Sequence, residues 1–314
     1  MSECNIREYL YFFLLKQVPR GRITTYLSLA KALGDYRAAR AVAKMLSENP
    51  YAPEVPCHRV VYSDGRIGGY THPEGVKRKI ELLRSEGVEV KNGKIVNFPQ
   101  ILFEDFKSDF PLKKLREEQI KICSQARIED DFTGDFLVGV DVSYDGNTAY
   151  SCAVVYDGSD YTEFLSVSKV DFPYIPTYLS FREFPPIKDV LSKIPKRVWE
   201  KSVVLVDGNG ILHPFRCGLA TYVGVKLNLP TIGVAKSKLC GVVRGDRIFV
   251  DSCQVGWFIK SGKKKGIYVS PGNRVSVDSS KNIVLKNLKY RIPEVLRRAH
   301  IISNKIRRGQ DFSM

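Results

Sequence analysis

The sequence predicts an α/β and α+β protein of two domains, a helix-turn-helix domain followed by a mixed β-sheet that helices cover. The 314 residues are long enough to form two ordinary hydrophobic cores. Closely spaced short helices characterise the first part, whereas strands alternate with helices in the second. Residues 97–113 contain turn residues and no long periodicity. We therefore expect domains at residues 1–104 and 112–314, joined by a linker at residues 105–111.

Cap and turn residues delimit three short helices in the first domain. Residues 6–17 form an apolar-faced helix that a Val-Pro-Arg-Gly turn ends. A second helix begins after Thr25, which can cap it, and ends before Gly34. The third, at about residues 36–47, is rich in alanine and basic. Two short helices with a glycine at their junction and a basic second helix suit a helix-turn-helix, although any helical hairpin gives a similar pattern.

The second domain shows a different pattern of apolar residues. Asp145-Gly146-Asn147 is a hairpin turn signal between two strands. A three-strand meander followed by strand–helix alternation indicates a mixed sheet covered by helices. The predicted elements are helices near 112–126, 186–193 and 216–227, strands near 136–141, 149–156, 162–170, 202–206 and 231–234, and a last helix from Pro293 to Gly309.

Charge and composition narrow the class of protein. The net charge is +15, with +6 in residues 1–100 and +9 in the remainder. Both halves would attract a polyanion such as DNA, although basic residues also serve solubility alone. No apolar run approaches the ~20 residues of a membrane span, and the acidic N-terminus does not fit a signal peptide. Seven cysteines without a CxxC pair argue against a disulfide framework or a zinc site. We expect a cytoplasmic monomer without a membrane partner.

Cys57 lies in the string VPCHRVV, next to an imidazole and a guanidinium group. The thiolate is the reactive form of cysteine, and nearby positive charge favours it. If the segment is extended, Cys57 and His58 point to opposite faces, so His58 would reach the sulfur through a water molecule. A lone Cys-His pair is most often an inert buried cysteine in a strand.

Further motifs give Cys57 a function. Residues 18–87 resemble the active-site domain of the O6-alkylguanine-DNA alkyltransferases, which has a winged-helix-like fold. The family's separate domain N-terminal to the active site is absent, and the stretch between Tyr70 and Glu86 runs about two residues long. The matching strings are GRITTY (Gly21–Tyr26), RAARAV (Arg37–Val42), Asn49-Pro50, PCHRV (Pro56–Val60), GGY (Gly68–Tyr70) and LLRSEG (Leu82–Gly87).

This resemblance implies that Cys57 accepts the alkyl group in one irreversible displacement, without a cofactor. A stacked guanine hides its O6 substituent, so the base must be flipped out of the duplex. Members that bind lesions without transferring the group leave a lesion-sensing module as the alternative. The implied roles are His58 as base through water, Glu86 orienting His58, Asn49 hydrogen-bonding at the active-site hinge, Tyr26 beside the flipped base, Arg40 filling the gap in the duplex and Arg37 contacting DNA.

Asp141 and Asp207 each end an apolar strand of the second domain. An aspartate at such a place is often only a turn former. If the two strands are neighbours, however, the carboxylates meet, and a divalent cation would relieve their repulsion. Oxygen ligands suit Mg²⁺ or Mn²⁺, and Glu183 is a third candidate ligand.

Residues 112–308 resemble endonuclease V, a nuclease with a ribonuclease H-like fold. Two departures from the family pattern are Phe184, where glycine is common, and Asn273, where histidine is usual. His213 lies in a matching string but could equally be a core hydrogen-bonding residue. The matching strings are GVDVS (139–143), FPYIP (172–176), FRE (181–183), VDGNG (206–210), LHP (212–214), GVAKS (233–237), VSPG (269–272), RIPE (291–294) and RAH (298–300).

The second resemblance implies a metal-dependent endonuclease that nicks DNA at the second phosphodiester 3′ of deoxyinosine. Some relatives prefer inosine in RNA, which leaves the nucleic acid open. Together the two resemblances imply a methylated-DNA–protein-cysteine methyltransferase joined to a deoxyribonuclease V, acting on double-stranded DNA. The implied roles are Asp141, Glu183, Asp207 and His300 at the metal, Tyr174 as a wedge beside the lesion, Lys236 on phosphate, and Gly208 and Gly210 lining the pocket for the flipped base.

Overall fold

A computed structural model describes residues 5–261 and 266–310. The chain divides into two compact units. The first comprises Met1–Arg116 with Asp171–Pro176, and the second comprises Glu117–Val170 with Thr177–Met314. The described helices include none that is long and apolar enough to cross a membrane.

The first unit consists of short helices and two small two-stranded sheets, β1-β2 and β3-β4. Thr25 caps α2 by accepting a hydrogen bond from the Ser28 amide at 2.9 Å, and Gly34 ends that helix with a φ of 105°. Both ends agree with the prediction. The elements are α1 (Ile6–Glu8), a π-helical segment (Tyr9–Leu14), 3₁₀ turns (Leu15–Gln17, Tyr36–Ala38, Cys57–Arg59), α2 (Tyr26–Leu33), α3 (Ala39–Ser47), α4 (Gly75–Ser85), α5 (Phe98–Ile101), and strands β1 (Thr24–Thr25), β2 (Val60–Val61), β3 (Val90–Lys91) and β4 (Lys94–Ile95).

A nine-stranded mixed sheet forms the second unit, with strand order β10-β11-β12-β13-β9-β8-β5-β6-β7. Strands β5, β8 and β9 are parallel neighbours, and the other pairings in the sheet are antiparallel. The division between the units falls within α6 (Pro111–Cys123), after Arg116. The elements that follow are β5 (Phe136–Asp145), β6 (Thr148–Tyr156), β7 (Tyr161–Lys169), α7 (Leu179–Leu191), α8 (Lys196–Trp199), β8 (Ser202–Asp207), α9 (Leu219–Leu227), β9 (Thr231–Ala235), β10 (Val242–Arg244), β11 (Arg247–Val250), β12 (Cys253–Lys260), β13 (Gly266–Asn273), α10 (Val277–Lys286) and α11 (Glu294–Arg307).

Helices cover both faces of this sheet, as predicted. Apolar residues of α7 and α9 form one core with β5 and β8, and residues of α10 and α11 form another with the opposite faces of the same strands. A side chain at Gly139 would lie 2.5 Å from the Val295 backbone. The glycine therefore allows α11 to approach β5 closely, which brings the face of α11 that contains His300 next to Asp141.

Three features of the second unit differ from the prediction. Strands β10 to β13 and helix α10 were not anticipated. Helix α7 begins at Leu179, earlier than predicted, and contains Pro185 and Pro186. Pro186 cannot donate to the Arg182 carbonyl, which instead accepts a hydrogen bond from the Tyr144 hydroxyl at 3.4 Å. This substitute donor helps the helix to continue through the prolines, so Glu183 lies on a helix.

Candidate functional site

The segment Cys57–Arg59 is a 3₁₀ turn, so the alternation of side chains considered for an extended segment does not apply here. Its cysteine is buried, with 5 % of its surface exposed. The Asn49 amide donates to the Cys57 Sγ at 3.2 Å and to the Val55 carbonyl at 3.3 Å. The asparagine thus ties the sulfur to the chain that precedes it.

His58 has one ring nitrogen engaged and one free among the described residues. Its Nε2 lies 3.0 Å from Oε1 of Glu86, while the buried Nδ1 has no hydrogen-bond partner. Burial lowers the pKa of His58 below its usual value, against the opposing effect of Glu86. The imidazole is therefore neutral at pH 7, and a proton on Nε2 leaves Nδ1 as the acceptor.

Glu86 also accepts two hydrogen bonds from Arg59, at 2.9 Å from Nε and 2.7 Å from a terminal nitrogen. Burial alone would raise the pKa of Glu86, but the hydrogen bonds from Arg59 and His58 outweigh it and lower the pKa to about 2. Arg59 in turn donates to the Val18 carbonyl at 2.7 Å. The carboxylate is therefore permanently ionised and held at two points.

Sequence reasoning missed Lys79, which is completely buried. Its ammonium group donates to the Val60 carbonyl at 2.6 Å and lies 3.4 Å from the Gly69 carbonyl. Burial lowers the pKa of Lys79 to about 8. Burial raises the pKa of the Cys57 thiol, whereas Asn49 and the positive charge of Lys79 act in the other direction. Lys79 shares one face of α4 with buried Leu83, and this i, i+4 spacing was the available signal.

The predicted DNA-contacting side chains of the first unit lie in different surroundings. Tyr26 packs against Tyr62 with 5.4 Å between ring centroids, and burial raises the pKa of Tyr26 to about 12. Arg40 is exposed on α3, while Arg37 lies over the Tyr36 ring.

The second site is a cavity of about 400 Å³ at the ends of β5 and β8. The residues that line it include three carboxylates, Asp141, Glu183 and Asp207. Strands β5 and β8 are parallel neighbours. This confirms the prediction that the strands of Asp141 and Asp207 are adjacent, which the convergence of the two carboxylates requires. Ligand atoms of Asp141, Asp207 and His300 all lie within 4.8 Å of one another.

Burial and repulsion between carboxylates raise the pKa values of Glu183 and Asp207. Burial, together with the charges of Asp141 and Asp207, raises the pKa of Glu183 to about 8. The pKa of Asp207 is also raised by burial and by Asp141, although Lys236 opposes the shift. Buried, mutually repelling oxygen ligands and one imidazole fit a divalent cation, which would neutralise them. Glu183 lines the cavity but lies outside the group of three convergent ligands.

Asp141 is positioned by two groups of α11. Its Oδ2 accepts a hydrogen bond from the Ser303 hydroxyl at 2.7 Å and lies 3.2 Å from the His300 Nδ1. The hydrogen bond to Asp141 raises the pKa of His300. Ser303 was not foreseen, because a single serine in a helix gives no signal in the sequence.

The other residues predicted for the nuclease lie in different surroundings, and one of them, Tyr174, belongs to the segment Asp171–Pro176 of the first unit. The Lys236 ammonium group lies 2.5 Å from Oδ2 of Asp207. A side chain at Gly210 would lie 2.0 Å from the Pro271 carbonyl oxygen, so only glycine fits that turn, and Gly208 lies against Leu219. Tyr174 is 64 % exposed.

The two departures from the family pattern and His213 serve the core. Phe184 contacts Tyr222 with 5.2 Å between ring centroids. The Asn273 amide donates to the carbonyls of Gly224 and Leu229, and its oxygen accepts from the Arg127 amide at 3.0 Å. His213 is buried, and its Nδ1 accepts from the Phe215 amide at 3.2 Å.

Comparisons with known proteins agree with the division of the chain into two units. A family model described as endonuclease V matches residues 117–301, and one described as the DNA-binding domain of 6-O-methylguanine DNA methyltransferase matches residues 11–88. A Picrophilus torridus protein named bifunctional methyltransferase/endonuclease is 42 % identical over 98 % of this chain and 99 % of its own length. A Thermoplasma volcanium protein of the same name is 39 % identical over 93 % of this chain and 87 % of its own length.

A solved structure resembles the nuclease part. It is endonuclease V of Ciona intestinalis in complex with a 24mer DNA that contains an inosine followed by a ribo-adenosine. The sequence identity is 28 % and the TM-score is 0.59, over 64 % of this chain and 99 % of that chain.

Proposed function

Because the chain belongs to the family of bifunctional methyltransferase/endonucleases, we propose that it repairs two kinds of damaged base in double-stranded DNA. The first unit transfers an alkyl group from O6-alkylguanine to Cys57. The second nicks DNA at the second phosphodiester 3′ of deoxyinosine, using Mg²⁺ or Mn²⁺. Each activity rests on its own group of residues.

The observation that supports alkyl transfer is a buried cysteine beside a neutral histidine with an unused acceptor. The Cys57 proton passes through water to Nδ1 of His58, whose Nε2–H is held by Glu86. The thiolate then attacks the alkyl carbon, a C–S bond forms and the C–O6 bond breaks. Guanine leaves as an anion and takes up a proton. The thioether is stable, so each protein molecule reacts once.

The observation that supports nicking is the convergence of Asp141, Asp207 and His300. When held by these residues, a divalent cation would orient an attacking water molecule and stabilise charge at phosphorus. Ser303 and His300 fix one oxygen of Asp141, so the other remains for the ion. Glu183 adds a third carboxylate, and the cation's charge would keep it ionised. If a cation paired with Asp207, the Lys236 ammonium group would be available to contact a substrate phosphate.

Paired assays of the full chain test both activities. One substrate is a duplex with O6-methylguanine labelled on its methyl group, and the other is a duplex with deoxyinosine. We expect Cys57→Ala to lose methyl transfer and keep nicking, and Asp141→Ala to do the reverse. Cys253→Ala and Asp189→Ala, which replace exposed residues of the same types, are the matched controls. Loss of both activities in either site variant would contradict two independent sites.

Two alternatives have distinct outcomes in the same assays. A lesion-sensing first unit would leave the methyl label on the DNA at any excess of protein. The substrate of the Ciona protein contains a ribo-adenosine, so matched inosine RNA and deoxyinosine DNA, with and without one ribonucleotide after the base, should compete in one reaction. Faster cleavage of the RNA would overturn the proposed DNA substrate.

A further inference from the structure

Arg307 is a permanently cationic side chain among the residues that line the nuclease cavity. The other charged lining residues are the three carboxylates and His300. A guanidinium group binds phosphate oxygens well because its planar donors match them in pairs. We infer that Arg307 binds a backbone phosphate of the nicked strand, next to the phosphate that is cut. This inference rests on the proposed nuclease function.

The hydrogen bonds of Arg307 leave its charge uncompensated. One terminal nitrogen donates to the Asn304 side-chain oxygen at 3.1 Å, and the other lies 3.5 Å from the Tyr144 carbonyl. Its buried Nε has no hydrogen-bond partner among the described residues. A guanidinium group has five donors, so one on each terminal nitrogen remains for a ligand besides the buried Nε. The side chain is partly buried, and a phosphate oxygen would supply the anionic partner that the described residues do not provide within 4.0 Å.

Other arginines of α11 differ in this respect. Arg297 and Arg298 both bind Glu294 through hydrogen bonds of 2.7 to 3.1 Å. In the described part of the chain, no ion pair within 4.0 Å involves Arg307. Arg308, the next residue, is exposed beyond the end of the helix. Thus Arg307 combines a place in the cavity with a free positive charge.

The spacing along α11 indicates which phosphate is bound. His300, Asn304 and Arg307 follow an i, i+4, i+7 pattern and share one helix face. Seven residues at about 1.5 Å each separate the backbones of His300 and Arg307 by about 10 Å. His300 lies beside the cation site, so Arg307 reaches a neighbouring phosphate and not the one that is attacked. Asn304, between them, holds the guanidinium group towards the cavity.

A simpler explanation is that Arg307 only compensates the partial negative charge at the C-terminal end of α11. Arg308 has the same charge at the same helix end, so it would serve this purpose equally. The comparison of Arg307→Gln with Arg308→Gln therefore separates the two explanations. Arg307→Lys keeps the charge and removes the paired donors.

The experiment measures single-turnover nicking of a deoxyinosine duplex by the full chain in Mg²⁺. The rate is followed against protein concentration at salt concentrations between about 50 and 200 mM. For Arg307→Gln we expect a half-saturating concentration about tenfold higher, with a maximal rate within about twofold of wild type. The slope of log affinity against log salt should fall by about 0.9, the value for one lost phosphate contact. Arg307→Lys should keep the wild-type slope and lose part of the affinity.

Each other outcome has a defined meaning. If Arg307→Gln and Arg308→Gln behave alike, Arg307 only stabilises the helix and the inference is wrong. A lost maximal rate with unchanged half-saturation would assign Arg307 to the phosphate that is cut, which also overturns the inference as stated. Failure of the wild-type chain to nick deoxyinosine DNA would instead overturn the proposed function.

Discussion

Replacing Glu86 with glutamine removes the charge that holds His58 and Arg59 and keeps the shape of the side chain. The pKa of this carboxyl group is about 2, compared with a usual value of 4.5. At about 1.4 kcal/mol for each unit of pKa, the ionised form stabilises the folded unit by about 3 kcal/mol at neutral pH. The Glu86 side chain is only 9 % exposed, so solvent screens this interaction weakly.

The pH dependence has a definite sign. A carboxyl group whose pKa is lowered by folding stabilises the protein fully above its usual pKa. That stabilisation disappears as the pH falls from 4.5 towards 2. At pH 3, about 1.5 kcal/mol should remain, because the folded group is still ionised and the unfolded one is protonated. Glutamine does not titrate, so the difference between wild type and Glu86→Gln should shrink in the same way.

Hydrogen exchange of the α4 amides measures this difference within the first unit alone. We expect Glu86→Gln to speed exchange of Gly75–Ser85 roughly 100-fold at pH 7 and roughly tenfold at pH 3. Glu89→Gln, which removes an exposed charge three residues further on, should leave exchange unchanged. A difference below about 0.5 kcal/mol, or one that is constant with pH, would refute the assigned role of the Glu86 charge.

Three other substitutions test the positioning of the two sites. Ser303→Ala should weaken the activation of nicking by Mg²⁺ about tenfold, because Asp141 loses a buried hydrogen bond. Titration of the nicking rate against Mg²⁺ measures this, and equal activation curves for the two proteins would refute it. Gly139→Ala should destabilise the second unit by about 2 kcal/mol or more, because the alanine side chain would meet the Val295 backbone. Urea unfolding followed by tryptophan fluorescence measures this, and unchanged stability would contradict the close approach of α11. Lys79→Met should shift the pH profile of methyl transfer to higher pH, because a positive charge that favours the Cys57 thiolate is lost. An unshifted profile would show that Lys79 does not influence the ionisation of the sulfur.

The parts of the site that sequence patterns predicted are those carried by regular elements. Both aspartates follow apolar runs, and buried parallel strands produce such runs. Asp207 ends β8 as predicted, whereas β5 continues past Asp141 to Asp145, so the prediction that Asp141 ends its strand was wrong. The turn between β5 and β6 was predicted from Gly146 and Asn147, which lie between paired Asp145 and Thr148. In these cases local preference and tertiary structure favour the same conformation.

The parts that were missed depend on contacts between residues distant in sequence. A lysine on α4 is expected at the surface, so Lys79 was not predicted to be buried. Its burial depends on the carbonyl groups of Val60 and Gly69, which accept hydrogen bonds from its ammonium group. Helix α7 was predicted to start near its second proline, Pro186, because the Tyr144 hydroxyl that satisfies the Arg182 carbonyl is 38 residues away in the sequence. Strands β10 and β11 are short and contain polar residues, and their order depends on the pairing of β11 with β12 and of β10 with β11.

Helix α11 links these observations, because one face of it serves the whole nuclease cavity. Close packing at Gly139 fixes the height of the helix over β5. At that height Ser303 and His300 reach the same oxygen of Asp141, and Arg307 reaches the cavity two turns beyond His300. A shift of the helix away from the strand would therefore loosen an acidic ligand and displace a cation together. Gly139 has no side chain that could take part in the reaction, but it determines the positions of the residues that line the cavity.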